Sequence, residues 1–318
     1  MSEARGEIYA DPDVALILEE AAAAGVPDIS TLPVEQARAQ VEATNALWNR
    51  PVPELASVND HSIAGAGGPI RLRHYRPSLE RHLPAVLYAH GGGFVLCSLE
   101  THDRLMRLLA QRTGAAVIGV DYRLAPEHPY PAALGDCLAA HRWLHAHGRE
   151  VGLDPGRLVV AGDSAGANLA LATMLALRDG KEPLPKGAAL FFGCYWSRLD
   201  TPSHARFGDG TWHLRTEQMA WFWRHYLGRT PPGDPLAEPL HADLTRLPPV
   251  FLNVGTIDPL ADDTHELARR LAQAGVPFDL EVHPGLVHAF MRMTARCRAA
   301  DAAMDDAAAA IRAMIAEA

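Results

Sequence analysis

The chain has 318 residues, 48% of them apolar, enough to bury the core of one large domain together with an appended segment. Its 29 Lys and Arg against 38 Asp and Glu leave a formal charge of −9, which disfavours nucleic acid and anionic membrane surfaces as partners and suits a neutral small molecule. The first 30 residues carry acidic side chains throughout and no apolar run behind a basic start, so no secretory signal is read there; no stretch is long enough to span a bilayer, and a cytoplasmic location is expected.

The segment before about residue 50 reads as two amphipathic helices, DVALILEEAAAA and PVEQARAQVEATNALW, the second with Val34, Ala37, Val41 and Trp48 on one face. IRLRHYR at 70–76 alternates like a half-exposed strand. PAVLYAH, AAVIGVDY, RLVVAG, AALFFG and PPVFLNVG are near-continuous apolar runs of strand length, the pattern of strands buried on both faces. Between them lie THDRLMRLLAQRTG, PAALGDCLAAHRWLHAHG, SAGANLALATMLALRDG and DDTHELARRLAQAG, helical stretches each closed by glycine, and the chain ends in an alanine-rich helix. Strand alternating with helix predicts an α/β fold with a mostly parallel central sheet and helices on both faces.

Residues 195–235 break this rhythm. They are too long for a strand-to-strand turn and hold Trp196, Trp212, Trp221 and Trp223, which predicts a lid over a pocket, with a subunit contact surface, and so a homodimer, as the alternative use of those aromatics. Cys97, Cys137, Cys194 and Cys297 form no CxxC pair and read as reduced structural thiols. His141 and His145 share a helical face at a spacing a metal could use, but the glutamate that a zinc hydrolase would place next to the first histidine is missing. No metal and no cofactor is expected.

The chemistry gathers at strand ends. In VVAGDSAGANLALA an apolar strand runs through Gly162-Asp163-Ser164-Ala165-Gly166 straight into a helix, the setting of a nucleophile elbow, where any side chain at 162 or 166 would meet neighbouring backbone. A serine needs a histidine base, and the imidazole needs a carboxylate. Asp258 follows the strand VFLNVG and His288 follows the strand that begins FDLEVH, both at the sheet edge where open α/β sheets place their ligands. Asp262 and Asp263 compete with Asp258 but read as helix caps; His283 falls within a strand and His265 within a helix. The glycines of AHGGGF at 89–94 let bare backbone approach a reacting group, so the N–H groups of Gly92, Gly93 and Ala165 are the candidate oxyanion donors, with His90 anchoring the loop.

Together HGGGF at 90–94, DYRLAPEHPYPAA at 121–133, GDSAG at 162–166, DPL at 258–260 and HAF at 288–290 resemble the hormone-sensitive-lipase-like esterases, the bacterial family IV carboxylesterases. The resemblance implies an α/β-hydrolase core at 46–195 and 234–318 and a helical cap from 1–45 and 196–233. It also implies a triad of Ser164, Asp258 and His288, an oxyanion hole of Gly92, Gly93 and Ala165, and a supporting ion-pair network of Asp121, Arg123 and Glu127. Phe94, Asp163, Tyr195, Trp196 and Trp212 are expected around the pocket. The expected activity is hydrolysis of short- to medium-chain acyl esters. An amidase or deacetylase would use the same residues, and a non-catalytic receptor, like the plant gibberellin receptors that resemble this family, would lack the histidine that stands here at 288.

Overall fold

A computed structural model describes residues 8–46 and 48–316. Strands β1 (Ser57–Gly65) and β2 (Gly68–Arg76) form an antiparallel hairpin at one edge of a single eight-stranded sheet. β3 (Leu83–Ala89), β4 (Ala116–Val120), β5 (Leu153–Asp163), β6 (Ala188–Phe191), β7 (Val250–Ile257) and β8 (Phe278–Val287) are parallel, and the order is β1-β2-β4-β3-β5-β6-β7-β8. β2 joins this block antiparallel to β4.

The apolar runs became interior strands because both of their faces are covered. Ala85, Leu87 and Ala89 of β3 face one cluster, which holds the apolar sides of α4 (Ala132–His147), α5 (Ala165–Asp179) and α8 (Ala261–Ala274). Val86 and Tyr88 face the other, with α3 (Asp103–Thr113) and α9 (Arg298–Ala316). Each fully buried Val or Leu contributes about 1.5–3 kcal/mol, so a sheet with apolar side chains on both faces is stable only between two helical layers. β1 escaped the sequence reading. It is a largely exposed edge strand, SVNDHSIAG, whose pairing is set by the tight Ala66-Gly67 turn and not by an apolar stripe.

Ahead of the sheet stand α1 (Pro12–Ala23) and α2 (Val34–Asn45). α2 is shorter than its predicted stripe. The Asn45 side chain donates to the Val41 carbonyl at 2.7 Å as the helix ends, so Trp48 falls outside it and packs with the opposite cluster from Ala37. In the long segment between β6 and β7 lie α6 (Pro202–Phe207) and α7 (Thr216–Leu227). Gln218 of α7 donates to Asp28, which also pairs with Arg215, so the N-terminal segment and this insertion touch. Among the described residues no helix is long and apolar enough to cross a membrane, and the four cysteines are buried and free of disulfides.

His74 and His141 are among the histidines buried in this framework. Burial pushes the His74 imidazole down to about 3, with His61 and Arg76 adding to the effect, and holds His141 at about 4. Both are neutral in the folded chain near neutral pH, whereas in the unfolded chain they protonate near the ordinary value of about 6.5. Their contribution to stability is therefore complete above pH ~6.5 and is lost as pH falls toward 4, at up to about 1.4 kcal/mol per pH unit for each. Urea unfolding at pH 7, 6 and 5 is expected to show this fall, and His74→Phe to make it shallower; an identical slope in the variant would count against a neutral buried His74.

Candidate active site

The β5–α5 junction leaves no room for a gentle turn. Ser164 occupies it at φ 54°, ψ −118°, a region that costs a non-glycine residue on the order of 1–3 kcal/mol. The conformation is held by the Ser164 N–H donating to the Phe191 carbonyl at 2.8 Å and by the Ser164 carbonyl accepting from Ala167 N–H at 3.1 Å. A Cβ on Gly162 would overlap the backbone of Gly166, and one on Gly166 would overlap the carbonyl of Ala89 in β3. Glycine at both positions is what lets the turn sit against the neighbouring strand.

Two further strand ends converge on the serine. His288, just past β8, places Nε2 3.0 Å from Ser164 Oγ, and its Nδ1 lies 2.9 Å from Oδ2 of Asp258, just past β7. The other oxygen of Asp258 accepts the Leu260 N–H at 2.8 Å, which fixes the carboxylate plane. The edge of Phe192 meets the His288 ring with centroids 5.1 Å apart, a second constraint on its orientation. Ser164 retains 8% exposure and His288 6%, while Asp258 has none. The exposed surface of the three thus lies on Ser164 and His288, with Asp258 sealed behind them.

The competing residues lie elsewhere. His265 is on an exposed helix face, and His283 packs its ring on Phe290. Asp262 and Asp263 do not cap α8, as expected of them; they hold the start of the 196–233 insertion. Asp262 accepts the Ser203 N–H at 2.8 Å. Asp263 accepts the Tyr195 N–H at 2.7 Å and the Trp196 indole N–H at 3.0 Å, and complete burial, opposed by these hydrogen bonds, pushes its carboxyl up to about 8.

In the glycine loop, Gly91 donates its N–H to Asp163 Oδ1 at 2.9 Å. The Gly92 carbonyl accepts from both Val95 and Leu96, folding the loop back on itself with Gly92 at φ 116°. Gly93, at φ 61°, lies so close to Phe222 of α7 that a Cβ there would overlap the ring. Among the described residues the N–H groups of Gly92, Gly93 and Ala165 have no protein acceptor. His90 is buried and its pKa is pushed down to about 3; its Nδ1 bonds the Gly91 carbonyl at 2.7 Å and its ring stacks on Tyr122.

Three residues expected around the pocket belong to the structure beneath it. Asp163 is 2% exposed and accepts from Tyr88 O–H at 2.8 Å and from Gly91, with His102 Nε2 at 3.2 Å; burial raises its pKa, but His102, Tyr88 and Arg292 outweigh that and hold it well below the usual carboxylate range. Phe94 is buried in a stack on Tyr226 with centroids 3.6 Å apart, and Tyr195 has no exposed surface. Trp196 and Trp212 are half-buried and keep accessible faces. Asp121, Arg123 and Glu127 form three separate pairs and not one network: Asp121 with Arg71, Arg123 with Asp136, and Glu127 with Arg38 of α2. Arg38 also donates to the Val95 and Ala125 carbonyls, tying α2 to the glycine loop.

Residues 86–292, about two thirds of the chain, match the model of a family with the alpha/beta hydrolase fold. The chain belongs to that family, in its hormone-sensitive-lipase-like branch. It is 42% identical over 247 residues to esterase LipI of Mycobacterium tuberculosis, covering 75% of this chain and 76% of that protein. It is 39% identical over 252 residues to the carboxylic ester hydrolase LipN of the same organism, covering 76% and 67%. A hyperthermophilic esterase from Pyrobaculum calidifontis superposes with a TM-score of 0.93 at 36% identity, over 97% of this chain and 100% of that one.

His102, Tyr88 and Arg38 were invisible to motif reasoning, and Asp263 was read only as a helix cap, since their partners are fixed by the fold and not by spacing. The clamp around Asp163 is directly testable. Asp163→Ala leaves Tyr88 O–H and Gly91 N–H without their acceptor in a dry site and is expected to cost about 3–5 kcal/mol, with Asp163→Asn costing less. Thermal denaturation reads this as a lowered Tm; an unchanged Tm in Asp163→Ala would remove the clamp from the account.

Proposed function

We propose that the chain is a carboxylic ester hydrolase that cleaves short- to medium-chain acyl esters through Ser164, His288 and Asp258, by way of an acyl-enzyme. The observation that carries this reading is the unbroken line of contacts from Ser164 Oγ to His288 Nε2 and from His288 Nδ1 to Asp258, at 3.0 and 2.9 Å, on a serine held in a strained turn at the end of a strand.

In the first step Ser164 Oγ attacks the acyl carbonyl while His288 Nε2 takes its proton, and Asp258 stabilises the resulting imidazolium. The carbonyl oxygen becomes an anion, for which the acceptor-free N–H groups of Gly92, Gly93 and Ala165 are the available donors. The alcohol leaves with the proton from His288. Water then repeats the sequence on the acyl-serine, with His288 first as base and then as acid, and releases the carboxylic acid. Every proton moves between groups of this chain, the substrate and water.

The insertion at 196–233 supports a bounded acyl pocket. Asp262, Asp263 and Glu238 pin its backbone and indole N–H groups, and Phe222 bears on Gly93, so the cap and the oxyanion loop are one packed unit.

Initial rates on p-nitrophenyl esters from acetate to palmitate, measured for wild type and Ser164→Ala, test the proposal. Activity is expected to be highest on the shorter chains and to fall by on the order of a thousandfold or more in the variant. Wild-type inactivity on every chain length, or a variant as fast as wild type, would overturn it.

A further inference from the structure

Gly93 is fixed less by hydrogen bonds than by a ring. Among the described residues its own N–H and carbonyl have no protein partner. The peptide that carries the Gly93 N–H is anchored on one side, through the Gly92 carbonyl, by Val95 and Leu96. On the other side the ring of Phe222, from α7, fills the space a side chain would take: a Cβ on Gly93 would stand 2.2 Å from two of its ring carbons.

The next residue supplies an independent contact. Phe94 lies at φ 64°, a conformation that is costly for a residue with a side chain and persists only where its surroundings hold it. Its carbonyl accepts the Ala125 N–H at 2.9 Å. Its ring lies flat on Tyr226, with centroids 3.6 Å and planes 8° apart, and Trp223 is tilted against it at 5.6 Å. Phe222 and Tyr226 are one helical turn apart, so a single face of α7 bears on Gly93 and Phe94 together. The end of that helix is fixed in turn, since the Tyr226 carbonyl accepts the Tyr130 N–H at 2.8 Å. The Tyr226 hydroxyl is buried without a partner among the described residues, so the ring makes the contact and the oxygen adds nothing to it.

We propose that Phe222 and Tyr226 of the insertion are positioning residues for the reaction, holding the Gly93 N–H where the acyl oxyanion forms. The inference rests on Ser164-dependent ester hydrolysis and adds that the insertion sets the rate of the chemistry as well as bounding the substrate. Without the two flat faces Phe94 relaxes from its left-handed conformation, and the peptide of Gly93 turns with it. Donors aimed at an oxyanion act over a narrow range, and a misplacement of about 1 Å costs about a hundredfold in rate. Acylation and deacylation both pass through an oxyanion, so the loss falls on kcat and leaves KM nearly untouched.

The test measures 4-nitrophenyl butyrate hydrolysis and inhibition by 1,1,1-trifluorooctan-2-one for wild type, Phe222→Leu, Tyr226→Leu and Tyr226→Phe, with folding checked by thermal denaturation. Ser164 Oγ adds to the ketone carbonyl carbon, its proton passes to His288 Nε2, and the carbonyl oxygen becomes a hemiketal oxyanion, so the ketone calls on the same donors with no leaving group. Either leucine variant should lower kcat by about tenfold or more with KM within about threefold of wild type, and should raise Ki for the ketone by the factor by which kcat/KM falls. Tyr226→Phe keeps the stack and should restore most of that loss. Phe222→Met and Tyr226→Met, which fill the space without a flat face, replace a leucine variant that does not fold and are read in the same way. Wild-type kcat and Ki in the folded variants overturn the proposal, as do a loss confined to KM, a fall in kcat with Ki unchanged, or a Tyr226→Phe as slow as Tyr226→Leu. A wild type inactive on the ester and insensitive to the ketone would instead overturn hydrolysis itself, and the positioning role with it.

Discussion

The contact on which the site depends is the approach of Gly166 to the carbonyl of Ala89, backbone against backbone between the start of α5 and the end of β3. It allows Ser164 to remain at φ 54° and sets the glycine loop, which begins where β3 ends, beside the serine. Asp163, one residue before Ser164, reaches across the same gap to Gly91 and Tyr88. The strained turn and the donor loop are consequently parts of one assembly, and strain at the serine is sustained by packing on both sides of it.

A second layer of carboxylates carries this order outward. Asp258 turns His288 toward the serine, and in the helix that follows, Asp262 and Asp263 face the other way and grip residues 195–203. On the opposite side Arg38 of α2 holds the turn after the glycine loop through Val95, Ala125 and Glu127. Residues 195–203 are thereby tied to the start of α8, and α2 to the glycine loop.

Much of this was legible in the residues. The continuous apolar runs identified the buried strands, since only a strand covered on both faces tolerates them, and the polar edge strand β1 was missed for the same reason. The order Ser164, Asp258, His288 along the chain could be read because each follows a stretch of strand pattern. The pocket was harder. Phe94 and Tyr195 look like lining residues in sequence, but aromatic side chains near a site are as readily consumed by packing, and these two are fully inside.

The sequence by itself determined the alternation of strand and helix, the glycines at 162 and 166, and the loop of three glycines, because these follow from backbone sterics and local hydrophobic pattern. Only the tertiary structure decided which polar groups meet. His102 and Asp163 are 61 residues apart, Arg38 and Glu127 89, and Ser164 and His288 124. Nothing local distinguishes one aspartate or arginine from another at such separations. Their partners are chosen by the strand order β4-β3-β5-β6-β7-β8, which brings distant strand ends to one edge and leaves each buried charge to the group that the packing places beside it.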